Sequence, residues 1–273
     1  MKSHGLIGRM TPPLLWQAAR RVAGRSLVFS GSPKSWSEAT GMSEGYAAEL
    51  ILDRVARATR EVIAGRAAFE RDSLLFNKPS LPLQLLAPLL RCALDNQGHL
   101  EVIDFGGSLG STYRQSRPFL GNLASLRWNV VEQASFVAAG RAEFASTELA
   151  FHASVKDVPT TDVSPMLLAS AVLHYLEDPY EVLAELMQTR ARLMVIDRTP
   201  MSMHDHDRLC IQRVPRHIYL ASYPCWIFSQ RRLLAHLLPD WRLLTEFPSL
   251  DGHYSAAGGL HFEFKGLLLE RVN

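Results

Sequence analysis

Apolar positions along this chain follow two rhythms. Over residues 46–64, Leu50, Ile51, Val55, Ala58, Val62 and Ile63 recur at steps of three and four, which predicts an amphipathic helix. A second helix is predicted over Leu83–Asp95, stopped by Asn96 and Gly98. Beyond residue 98 the rhythm changes to short apolar runs, at 100–105, 127–131, 149–152, 165–169 and 192–197, separated by helical stretches. Strands alternating with helices predict a mostly parallel sheet covered on both faces. A helix near 229–237, a strand near 241–247, a polar loop with Gly252, Gly258 and Gly259, and an apolar strand at 260–270 close the chain. The last two strands must be antiparallel neighbours, because their connection is too short for a parallel crossover.

The 273 residues, 47% hydrophobic and 21% charged, suffice for one full α/β domain with an appendage. Three scattered cysteines, Cys92, Cys210 and Cys225, form no CxxC pair, which argues against a disulfide framework or a zinc site and for a reducing, cytoplasmic setting. No apolar run reaches the length of a membrane-spanning helix. The net charge of +2 is uneven: Lys2, Arg9, Arg20, Arg21, Arg25 and Lys34 precede the first acid, Glu38, so an arm of +6 leads a body of −4. Leu14, Leu15, Trp16, Ala18, Ala19 and Val22 within residues 1–35 fit a short interfacial helix that would meet an anionic membrane surface. A loosely docked terminus is the plainer reading. The acidic body, with no basic stripe interleaved with aromatics, argues against nucleic acid as a partner. The expected organisation is a basic arm at 1–35, a helical cap at 36–97, and an α/β domain from 98 onward.

In an open α/β sheet, ligands bind at the carboxyl ends of the strands where strand order reverses. The run LEVIDFGGSLG at 100–110 ends its strand on Asp104 and turns through Gly106, Gly107, Ser108 and Gly110, so a ligand can approach the backbone closely. A carboxylate at the strand tip suits a cationic, hydroxyl-rich ligand better than a pyrophosphate. Ser108 also stands where a dinucleotide fingerprint requires glycine. After the second strand, WNVVEQ places Glu132 and Gln133 at the next tip, and two carboxylate oxygens accept from both hydroxyls of a ribose. The structural alternatives are a helix-dipole role for Glu132 ahead of 134–144 and a turn cap for Asp104.

After the fourth strand the chain reads MLLASAVLHYLEDP over 166–179. This run, with DFGGSLG and Glu132 in order before it, resembles class I S-adenosylmethionine-dependent methyltransferases over about residues 98–270. A narrower likeness joins Trp36, the Gly45-Tyr46 pair, DFGGSLGSTYRQ, WNVVEQ, LHYLEDP, VIDRTP and IYLASYPCWIFS to an uncharacterised group of bacterial methyltransferases that accompany surface-polysaccharide genes. The resemblance implies a Rossmann-like, seven-stranded, mostly parallel sheet with an antiparallel last strand, S-adenosylmethionine as cofactor, and Ser170 as a further contact. It also implies methyl transfer without settling the acceptor, for which an O or N atom of a small molecule or glycan precursor is the expectation. The alternative is a non-catalytic scaffold that docks through its basic arm. Ser108 departs from the family's usual GxGxG turn, and its hydroxyl is small enough to face the cofactor's carboxylate.

Methyl transfer needs a nucleophile held in line, and a base only if that nucleophile arrives protonated. The candidates are His174 after strand four, Asp197 beside Arg198 after strand five, and His217 and Tyr223 in the connection 200–229. That connection, which also carries His204, Asp205, His206 and Tyr219, is long enough to be read as a lid. His174 has an alternative as a packing residue. The 204–207 run reads as a solvated loop in preference to a metal site, and Tyr219, Tyr223, Trp226 and Phe228 read equally as an acceptor wall or as core.

Overall fold

The computed structural model describes residues 27–43, 48–214 and 221–272. A short strand β1 (Val28–Ser30) and helices α1 (Trp36–Gly41) and α2 (Ala48–Ile63) lead into a hairpin, β2 (Phe69–Arg71) and β3 (Leu74–Phe76). Helix α3 (Leu83–Asp95) then delivers the chain to β4 (His99–Phe105). From there strands and helices alternate: α4 (Ser111–Ser116), β5 (Ser125–Val131), α5 (Ala134–Ala139), β6 (Leu149–His152), β7 (Met166–Ser170), α6 (Pro179–Met187) and β8 (Leu193–Ser202). Strands β9 (Arg208–Arg213) and β10 (Ser222–Ser229), helix α7 (Gln230–Leu237), and strands β11 (Trp241–Ser255) and β12 (His261–Arg271) complete it.

Ten strands form one sheet. Its Rossmann-like centre runs β6, β5, β4, β7, β8 in parallel, followed by β12 antiparallel to β8 and β11 antiparallel to β12. Strand order reverses at β4, which lies between β5 and β7. Alternation along the strands separates two cores. Leu100, Val102, Trp128, Val130 and Leu168 face α3, α4 and α5, while Ile103, Leu167, Met194 and Ile196 face α6 and α7. Removing both faces from water is what lets such continuous apolar strands persist.

Three segments differ from the sequence expectation. The described part of the connection 200–229 is strand where loop was expected: β9 and β10 pair antiparallel and extend the sheet, with β10 joined in parallel to Met201 and Ser202 of β8. Its buried residues give the physical reason: Leu209 and Ile211 pack in one cluster and Cys210, Cys225 and Ile227 in another, so both faces of the pair are covered. Residues 28–30, expected within a free arm, pair antiparallel with β9. The helix expected through 144 is α-helical only to Ala139 and continues as a π turn over Gly140–Phe144. The basic arm up to residue 26, and with it the membrane expectation, lies outside the described residues. Among the described residues no helix is long and apolar enough to cross a membrane.

Candidate functional site

At the reversal point, β4 ends in a turn built for close approach. Gly106 is left-handed at φ 73°, and a Cβ there would stand 2.5 Å from Val172 Cγ2. A Cβ on Gly107 would meet the Asp104 carboxylate at 2.5 Å. Ser108 takes the left-handed conformation with φ 57°, and two other tips do the same without glycine: Ala171 after β7 at φ 55° and Arg198 in β8 at φ 50°. Each such residue costs roughly 1–2 kcal/mol. Backbone strain of this kind concentrates where a fold positions ligands.

Asp104 is placed differently from the expected ligand contact. It shares the strand face of Leu100 and Val102, is 1% exposed, and accepts from Trp128 Nε1 at 2.9 Å. It therefore supports the glycine turn from beneath. Burial pushes its carboxyl up to about 7, against the opposing Trp128 hydrogen bond. Glu132, at the next tip, is half-buried and accepts the Gln133 amide at 2.7 Å, with the Ser108 amide also directed to it. Burial raises this carboxyl too. The side chain of Gln133 is exposed.

Where β7 leaves the sheet, β8 carries a bulge. Ile196 pairs with Leu267 and Thr199 with Lys265, so Asp197 and Arg198 together oppose Gly266. Bulges re-aim side chains, and this one turns both residues to the rim. Ser170 Oγ donates to Asp197 Oδ2 at 3.3 Å, and burial raises the Asp197 carboxyl. The Arg198 guanidinium donates to Asp251 Oδ2 at 2.9 Å and to Asp72 Oδ2 at 2.7 Å. Burial alone would push Asp251 up, but Arg198 overrides it and holds that carboxyl below the usual range.

The cap completes the rim. Glu70 of β2 is buried and accepts from the Ser111 hydroxyl, and its carboxyl is raised by burial. Arg71 lies with its guanidinium 5.8 Å from the Phe69 ring, near enough to Asp197, Asp251, Asp72 and Arg198 to respond to their charges. Sequence reading missed Glu70, Arg71, Asp72 and Asp251. Strands of three residues show no period, and nothing in their spacing links residue 72 to residues 198 and 251.

Two of the expected reactive groups, His174 and Tyr223, have neighbours of their own. His174 is 0% exposed with both ring nitrogens unpartnered and packs against Tyr175 and Phe264, and burial lowers its pKa to about 3. Tyr223 lies on β10, its hydroxyl accepting from Gln212 Nε2 at 3.4 Å and its ring edge-on to Tyr175. His217 lies outside the described residues. In the 204–207 run, Asp205 pairs with Arg231 and Asp207 with Arg232, and no metal-competent group of three His, Cys, Asp or Glu occurs among the described residues. Glu70, Glu132 and Asp197 thus stand on the carboxyl-end side of the sheet, with Asp104 below the turn, and all four carboxyls are raised by burial.

No protein-family model and no curated protein matches the chain. Solved structures of similar path include the amino-terminal domain of EvdMO1 in the presence of SAH and D-fucose, at 12% identity and TM-score 0.45, over 81% of this chain and 97% of that one. Another is an S-adenosylmethionine-dependent methyltransferase from Clostridium acetobutylicum, at 8% identity and TM-score 0.45, over 80% and 98%. A third is a Burkholderia thailandensis 1,6-didemethyltoxoflavin-N1-methyltransferase, at 16% and 0.42, over 84% and 89%. At these values the likeness lies in the broad course of the chain, and the fold is defined by the strand order itself.

Proposed function

We propose that this chain is an S-adenosylmethionine-dependent methyltransferase acting on an O or N atom of a small molecule or glycan precursor. The observation that carries the reading is the pairing, on neighbouring tips at the strand reversal, of the Gly106–Ser108 turn with the Glu132 carboxylate. The residues fit the cofactor's chemistry. Glu132 offers two acceptor oxygens to a ribose diol, the turn admits a ligand against its backbone, and a rim of carboxylates favours a cation over a pyrophosphate.

When bound, the cofactor supplies an electrophilic methyl group on a sulfonium. The protein's share is placement. Glu132 and the glycine turn hold the donor, Asp104 keeps the turn in place from below, and the bulge presents Asp197 beside Ser170 to the acceptor. Asp197 would take the proton from an acceptor hydroxyl or ammonium group, leaving its oxygen or nitrogen lone pair free to face the methyl donor. Burial, by raising Asp197, makes it a better base than an ordinary aspartate.

Calorimetric titration with S-adenosylhomocysteine tests the reading. The wild type should bind, and Glu132→Ala should weaken binding about a hundredfold, the value of two charge-assisted hydrogen bonds. No binding to the wild type, or equal affinity in Glu132→Ala, overturns it. Binding without methylation of any acceptor in a broad extract would favour a scaffold role.

A further inference from the structure

We propose that the β2–β3 hairpin is the lid of this site, and that Arg198 is a positioning residue that latches it shut through Asp72 and Asp251. The proposal rests on reading the carboxyl end of the sheet as the cofactor site.

A hairpin of two three-residue strands has little stability of its own. Its Leu74, Leu75 and Phe76 are 43%, 46% and 39% exposed, so β3 is not buried in the main core. Phe69 and Glu70 supply the buried side. What fixes the hairpin over the rim is a set of polar ties at separate points. Ser111, the residue directly after the glycine turn, donates to Glu70. Gln115 of α4 donates to the Ser80 carbonyl at 3.1 Å, holding the chain just beyond the hairpin. At the tip, Asp72 accepts from Arg198. The hairpin therefore spans from the helix that follows the cofactor turn to the strand that presents Asp197.

The latch is built at both ends. Asp72 and Ser73 form a two-residue turn with φ 52° and 64°, the left-handed pair that a tight hairpin demands, and this projects Asp72 from the tip. The bulge in β8 places Arg198 opposite it, with a side chain only 17% exposed although Asp72 is 61% exposed. Asp251 anchors the guanidinium from the far side and is itself held by the Ser249 hydroxyl at 2.7 Å. One arginine thus joins a fixed carboxylate on the sheet to an exposed one on the cap. At the tip, opening breaks the exposed Asp72 pair, while the guanidinium keeps its Asp251 partner.

Asp72→Asn removes the charge and keeps the turn, because asparagine accepts left-handed φ. In the intact protein without ligand, hydrogen exchange at amides 69–76 should quicken about threefold to fivefold, the range of a partly exposed ion pair. Dissociation of S-adenosylhomocysteine should quicken by a similar factor. Both differences should vanish in about 1 M salt, where the pair is screened in the wild type as well. Unchanged exchange in Asp72→Asn, or a difference that persists undiminished at high salt, overturns the latch. If the wild type fails to bind S-adenosylhomocysteine, the cofactor reading fails by itself, and the exchange measurement still decides the latch.

Discussion

The two ends of the parallel sheet carry charge in opposite ways. At the amino-terminal end a cleft of ≈ 680 Å³ is lined by Asp95, Asn96, His99, Arg127, Thr161, Asp162 and Arg190. Its charged members are all exposed, and its neighbouring left-handed residues are Gln97, Gly98 and Asn122, in the turns that lead into β4 and β5. Two of these three are residue types that adopt the conformation readily. At the carboxyl end, Glu70, Asp104, Glu132, Asp197 and Asp251 are buried or half-buried, and left-handed backbone falls on Ser108, Ala171 and Arg198 as well as glycine. One end is a solvated surface with a hollow in it. The other holds desolvated charge and strain, both of which cost stability. Volume and cost are thus separated in this molecule, the cleft at one end and the desolvated charge and strain at the other.

The comparison can be broken most forcefully at Asp104. Its folded pKa of about 7 lies above the ordinary aspartate value near 4, so between those pH values the folded protein holds a proton that the unfolded chain has lost. Asp104 should thus cost stability as pH rises from 4 through 7, by about 4 kcal/mol in full. Asp104→Asn, which stays neutral and can still accept from Trp128, should flatten this part of the pH dependence in denaturant unfolding. An unchanged slope would mean that Asp104 is not the desolvated acid described above.

Next in size is Gly107→Ala, whose Cβ would stand 2.5 Å from the Asp104 carboxylate. It should cost about 2–3 kcal/mol of unfolding free energy. Adding Asp104→Ala should recover part of that loss, because the two residues share one space. Strict additivity would show that the turn does not rest on Asp104. The smallest effect belongs to the opposite end. Arg127→Ala, on an exposed wall of the cleft, should change stability by less than about 0.5 kcal/mol and leave S-adenosylhomocysteine affinity untouched. A tenfold loss of affinity there would invert the comparison.

Much of the carboxyl-end geometry was legible in residue order. The runs that become β4, β5, β6, β7 and β8 are apolar and short, as strands buried on both faces must be, and their tips set Gly106 and Glu132 side by side. Asp104 carried a signal that its position at the tip concealed. It has the parity of Leu100 and Val102, which points it into the core beside Trp128 and away from a ligand. The β9–β10 pair was hidden because a connection rich in histidine and aspartate reads as loop, and the short run Leu209–Ile211, buried on both faces, shows no period of two. Nothing local encodes the Asp72–Arg198–Asp251 latch. It depends on a two-residue turn without glycine and on a one-residue bulge, features that only pairing register creates.

The most direct test is a crystal structure of the protein with S-adenosylhomocysteine. The account predicts the ribose hydroxyls within hydrogen-bonding distance of the Glu132 carboxylate, the ligand backed by the Gly106–Ser108 turn, and the β2–β3 hairpin closed above it. Ligand seated instead among Asp95, Arg127 and Arg190 at the other end of the sheet, or bound at the carboxyl end with Glu132 turned away from the ribose, would contradict it.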